Sequence, residues 1–194
     1  IQSGVEYKNL GLVVADEQHR FGVAQRAALA NKGDNPHFLV MTATPIPRTL
    51  ALILYGDLDI SILDELPPGR KPVETSAVGE KMRQRVNAFL AKNIRNGAQC
   101  YVVCPLVEET QKLDLANAED KAKKLAEIFP DFEVGLIHGK MKPKDKEAVM
   151  ERFAAGKIKI LVSTTVIEVG VNVPNSNIMV IDNAERFGLS QLHQ

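Results

Sequence analysis

The chain has 194 residues, with 24 lysines and arginines balancing 24 aspartates and glutamates, so its formal net charge is zero. No overall basic field is available to attract nucleic acid, and any such contact must rest on local hydroxyls, backbone amides and a few lysines. No apolar run approaches the roughly 20 residues a bilayer span requires, and the opening IQSGVEYKNL lacks the basic and apolar regions of a signal peptide. The expectation is a cytoplasmic chain without a membrane partner, long enough to bury the core of one large or two small domains.

An apolar run, LGLVVA, ends abruptly in Asp16-Glu17-Gln18-His19. A run of this kind predicts a buried parallel strand whose carboxyl end opens into a ligand crevice. Two adjacent carboxylates there repel each other unless a hard cation such as Mg²⁺, carrying a phosphate substrate, accepts one of them. The same four residues also fit a strand that simply ends in a solvated turn.

FGVAQRAALANKG then predicts a helix stopped by Gly33, and FLVMTAT, residues 38–44, a second strand limited by Pro45 and Pro47. RTLALILYG continues as a helix, which gives the alternation of an α/β fold. LDISILDEL can form a further strand. PPGRKP then places three prolines and a glycine in six residues, where a domain boundary is expected. The division read here is 1–63, a linker 64–76, and 77–194.

From Glu80, Met82, Val86, Phe89, Leu90 and Ile94 follow a helical spacing that Gly97 ends. Strands are predicted at 99–104, 133–138, 158–163 and 178–182, with helices in the intervals. Cys100 and Cys104 share a strand face about 13 Å apart at roughly 3.3 Å per residue, too far for a disulfide. Without further cysteines for a zinc cluster, they read as small buried hydrophobes. In the helix near 117–129, Lys121, Lys123 and Lys124 lie mostly off the apolar face and read as solvated. The lysines at 140, 142, 144 and 146 read the same way, just before a helix that Pro143 can open.

Three segments can carry chemistry. Thr42-Ala43-Thr44 can contact phosphate or relay a change from the acidic corner, and equally can cap a helix. Ser163-Thr164-Thr165 closes a strand with three hydroxyls able to grip a nucleic-acid backbone, and ordinary turn chemistry explains them equally. His138 reads as structural. A nucleotide hydrolase needs a phosphate-cradling glycine loop, yet no Gly-x-x-x-x-Gly-Lys followed by Ser or Thr occurs. Either the chain is no ATPase or the loop lies upstream of residue 1.

In order and content these segments resemble the motor of superfamily two helicases, and most closely its RecG branch of ATP-dependent DNA helicases. DEQHRFG at 16–22 resembles motif II, TATPIPRTLAL at 42–52 motif III, STTVIEVGVNVPNSN at 163–177 motif V, and ERFGLSQLHQ at 185–194 the start of motif VI. The transcription-repair coupling translocases share several of these strings; Gln18, where that family usually has a second Glu, favours the RecG branch. The resemblance implies two RecA-like parallel-sheet lobes, the first truncated at its N-terminal side and the second lacking its C-terminal end. It also implies ATP and Mg²⁺ as cofactors and branched DNA as partner of a monomeric enzyme. Asp16 would hold Mg²⁺, Glu17 would activate water, and Gln18 and His19 would sense the γ-phosphate. Thr42 and Thr44 would couple hydrolysis to movement, Ser163, Thr164 and Thr165 would meet DNA, and Gly170, Asn172 and Gln191 would lie at the nucleotide. Asn172 departs from that family's usual Asp, which removes a charge at that position. The chain alone is expected to be nearly inactive, because the arginines of motif VI would follow residue 194. A non-catalytic interaction module with a helicase-like fold is the alternative from another class.

Overall fold

A computed structural model describes residues 4–16, 28–29, 31–42, 59–65, 68, 72–105, 111–164 and 173–193. The chain forms two compact units, one of Ile1–Leu63 with Leu189–Gln194, the other of Asp64–Gly188.

In the first unit, β1 (Leu12–Ala15) and β2 (His37–Val40) pair in parallel, with Leu12 opposite His37 and Ala15 opposite Val40. Side chains alternate as the pleat requires. Val13 and Ala15 are buried, whereas Leu12, Val14 and Leu39 are exposed. The strand expected over 38–44 ends sooner, since Met41 and Thr42 follow β2 without strand structure. Residues 59–65 take no regular structure, so the further strand expected there is absent; Ile60, Ile62 and Leu63 are exposed, with no neighbouring strand to pair them. Of the two helices expected at 21–33 and 48–56, the first is described only at 28–29, which are helical, and at 31–33, which form a turn, and the second lies outside the described residues.

The second unit is a four-stranded parallel sheet in the order β4-β5-β3-β6, built from β3 (Gln99–Val103), β4 (Glu133–Ile137), β5 (Ile158–Ser163) and β6 (Ser176–Ile181). Three helices serve it: α1 (Arg83–Arg95), α2 (Gln111–Ile128) and α3 (Pro143–Ala154). A short α4 (Leu189–His193) follows β6 in sequence. Both sheet faces are covered, as buried parallel strands require. On one face Leu90 and Ile94 of α1, Leu125 of α2 and Phe129 just after it meet Cys100, Val102, Ile160 and Val162. On the other, Met150 and Phe153 of α3 meet Ile137, Ile158 and Leu161.

The amino edge of this sheet is held by two matching helix stops and one buried amide. After α1, Gly97 adopts φ +98°, its N–H reaches the Ile94 carbonyl at 3.0 Å, and Ala98 reaches Asn93 at 3.1 Å. After α3, Gly156 adopts φ +71° and Gly156 and Lys157 repeat the pattern onto Phe153 and Arg152 at 2.9 and 3.0 Å. These left-handed stops satisfy the last helical carbonyls and need glycine because a Cβ is strained there. Gln99, 1 % exposed, then donates from Nε2 to the carbonyls of Phe153 at 2.6 Å and Ile158 at 2.9 Å. One side chain thereby ties the start of β3 to the end of α3 and the start of β5.

Candidate functional site

Parallel strands deliver their following residues to one edge of their sheet, and in each unit some of the residues singled out in the sequence stand at that edge. In the first unit the Met41 amide bonds the Ala15 carbonyl at 2.8 Å. Asp16 and Thr42, each one step beyond that bond, therefore emerge together at the carboxyl edge of β1 and β2, and both are exposed. Glu17, Gln18, His19 and Thr44 lie outside the described residues. An exposed carboxylate at such an edge fits a hard cation that keeps water and phosphate as its other ligands, which is how Mg²⁺ is usually held. Among the described residues no cluster of three or more His, Cys, Asp or Glu side chains could hold a metal unaided.

In the second unit the crevice follows from topology. The chain leaves β3 toward α2 on one face of the sheet, whereas beyond β5 it returns at Val173, packed against the opposite face. Neighbouring strands whose continuations diverge leave a gap at their carboxyl ends, the usual ligand position of such sheets. β3 and β5 are those neighbours. The Cys104 amide donates to the Ser163 carbonyl at 2.8 Å and the Thr164 amide to the Ile137 carbonyl at 3.3 Å, so Ser163 and Thr164 stand at the carboxyl edge of the sheet, tied to both neighbouring strands. Ser163 and Thr164 are themselves buried, at 0 % and 3 % exposure, so neither side chain is presented to solvent at this edge. Thr165, Gly170 and Asn172 lie outside the described residues. Gln191 is exposed on α4, which belongs to the first unit.

Burial pushes the thiol of Cys100 up to about 12 and that of Cys104 up to about 11, as fits inert core thiols. Both are free and buried, in keeping with their reading as small hydrophobes.

The lysine reading needs a correction. Lys121 is not solvated: its side chain is 17 % exposed, and its Nζ lies 2.7 Å from Oδ2 of Asp182, itself 20 % exposed. Arg83 Nη2 stands 3.5 Å from Oδ1 of the same carboxylate, while its Nε and Nη2 bond the two Glu80 oxygens at 2.5 and 2.7 Å. That contact pushes the guanidinium further up and holds the Glu80 carboxyl below its ordinary range. Sequence reasoning missed this cluster because its members lie on α1, α2 and the end of β6, and only an excess of lysines over the apolar stripe hinted that one might turn inward. Lys124 does behave as a surface residue, paired with Asp120 one turn away at 2.6 Å.

Comparison with known proteins agrees with this architecture. Residues 81–194 match the family described as the helicase conserved C-terminal domain. The whole chain is 56% identical to the ATP-dependent DNA helicase RecG of Synechocystis, covering 24% of that protein, and 56% identical to RecG of Bacillus subtilis, covering 29%. It thus spans about a quarter of the length of the curated relatives it matches. Among solved structures, RecG bound to a three-way DNA junction superposes over 98% of this chain and 24% of its own, with a TM-score of 0.71 and 47% identity. A yeast Dbp5 structure bound to RNA and ADP BeF3 superposes over 87% of this chain and 43% of its own, with a TM-score of 0.55 and 17% identity, a likeness of fold alone. The chain belongs to the helicase conserved C-terminal domain family.

Proposed function

We propose that this chain is part of the motor of a RecG-type ATP-dependent DNA helicase that couples nucleotide hydrolysis to movement along branched DNA in repair and recombination. The observation that carries the reading is the match to RecG proteins over the whole of this chain, which runs through both compact units. Exposure of Asp16 and Thr42 at one strand edge supports it from within the structure. Whole-protein activity, substrate and monomeric state belong to this proposal.

In this reading Asp16 would hold the Mg²⁺ that accompanies ATP, and that ion would supply charge neutralisation at the phosphates. Glu17 orients and deprotonates the attacking water, with Gln18 and His19 reading the γ-phosphate. Thr42, beside Asp16, and Thr44 pass the change in nucleotide state onward. Ser163, Thr164 and Thr165 form the hydroxyl run assigned to the DNA backbone. Gly170, Asn172 and Gln191 are assigned to the nucleotide, Asn172 as a neutral acceptor for a ribose hydroxyl. Nearly all of this is positioning and charge placement, as phosphoryl transfer demands.

The test is Glu17→Gln in the full-length protein. DNA-stimulated ATP turnover should fall by roughly two orders of magnitude or more, as expected for loss of a general base, while ATP still binds. Wild-type turnover in that variant overturns the catalytic assignment.

A further inference from the structure

The Glu80-Arg83-Asp182-Lys121 cluster stands at a particular place in the chain. The second unit begins at Asp64 and ends at Gly188. Residues 72–79 approach it without regular structure, and the first hydrogen-bonded turn, Glu80–Met82, supplies Glu80 and leads directly into Arg83. At the other end, Asp182 is the first residue beyond β6, its amide bonded to the Val103 carbonyl at 2.9 Å. The backbone then turns sharply. Asn183 adopts φ +50°, and a single tight turn over Ala184–Arg186 closes with Arg186 bonded to Asn183 at 3.0 Å and Phe187 to Ala184 at 3.1 Å. One carboxylate, at the end of β6, therefore meets a residue at the start of α1, near the other end of the unit. Its direction is fixed from the side by Lys121 of α2.

Two features separate this cluster from a surface ion pair. Lys121 and Asp182 are both largely withdrawn from water, so removing either leaves the other poorly solvated, unlike the exposed Lys124–Asp120 pair. Arg83 also has its bidentate partner in Glu80, which holds the guanidinium while its remaining reach goes to Asp182.

We propose that Asp182 is a positioning residue, clamped by Lys121 and Arg83, which fixes the path by which the chain leaves β6 through residues 183–188 and so sets the rate of turnover. This rests on the helicase reading above, because the segment it aims is the one resembling the start of motif VI. The cluster touches no reacting atom; it acts through the backbone it holds.

The experiment uses the full-length protein. Asp182→Asn and Lys121→Met should each lower DNA-stimulated kcat about tenfold while changing KM for ATP less than twofold. Lys121→Arg should retain most of the wild-type kcat. The double variant should be no slower than either single one, since both remove the same contact. Hydrogen exchange of residues 183–188 should quicken in both single variants with the β3 core unchanged. Unchanged kcat, additive losses, or unchanged exchange at 183–188 overturns the proposal. Absence of DNA-stimulated ATPase in the wild-type protein overturns the helicase reading instead, and the exchange measurement still decides the clamp.

Discussion

Gln99 offers the sharpest test of how the second unit is held together. Its amide is buried at 1 % exposure and donates to two backbone carbonyls, Phe153 at 2.6 Å and Ile158 at 2.9 Å. Replacing it with leucine keeps a similar volume and removes both donors. The two losses are unequal: the Phe153 carbonyl keeps the Gly156 amide at 2.9 Å, while the bond to Ile158 is lost outright. One lost bond plus one halved, at about 1–3 kcal/mol per unsatisfied buried group, gives a loss of about 2 kcal/mol. For a unit of this size that lowers Tm by roughly 8 °C. Gln99→Glu should be worse than Gln99→Leu at neutral pH, because a carboxylate then faces two carbonyl oxygens in a dry site. Urea unfolding of the chain, followed by circular dichroism and by exchange of the β3 amides, measures both. Wild-type stability of Gln99→Leu, or equal stability of the two variants, refutes the reasoning.

Two further outcomes follow from the core. A Cβ on Gly135 would lie 2.9 and 3.1 Å from Ile158 side-chain atoms and 3.1 Å from Leu161 Cδ1. Gly135→Ala should therefore destabilise the second unit by about 1–3 kcal/mol through overpacking, read from the same urea transition. Cys100 and Cys104 should resist a thiol reagent at pH 8, because burial holds their thiols near 12 and 11. Since only the thiolate reacts, labelling should rise with pH and track unfolding in denaturant; fast labelling of the folded chain at pH 8 contradicts the assignment.

The sheet of the second unit was legible because its strands are apolar on both faces. The run over 158–163 appears as β5 with those same limits, and the neighbouring strands moved by a residue or two at their ends. Gly97 signalled the end of α1 through its freedom at positive φ, and Pro143 signalled the start of α3. The apolar residues near 60 misled for a physical reason: a strand exists only where another strand completes its hydrogen bonds, and hydrophobicity does not reveal that partner. The α2 helix begins earlier than expected, at Gln111, because its first turns carry less of the apolar stripe. At the candidate site, sequence order alone placed Asp16 and Thr42 on one edge, and the parallel pairing of β1 with β2 brings them there. The Lys121–Asp182 contact joins residues 61 positions apart, and only the folded chain shows it.

The arrangement at the amino edge has a consequence for change over time. Gln99, Gly97 and Gly156 secure the starts of β3 and β5 from below, away from the ends of those strands that carry Ser163 and Thr164. The contacts that start these strands and the hydroxyl run that ends one of them thus occupy opposite rims of one sheet. Exposed residues that follow the carboxyl ends of these strands can change without touching the contacts of the amino rim, so the two rims can vary independently.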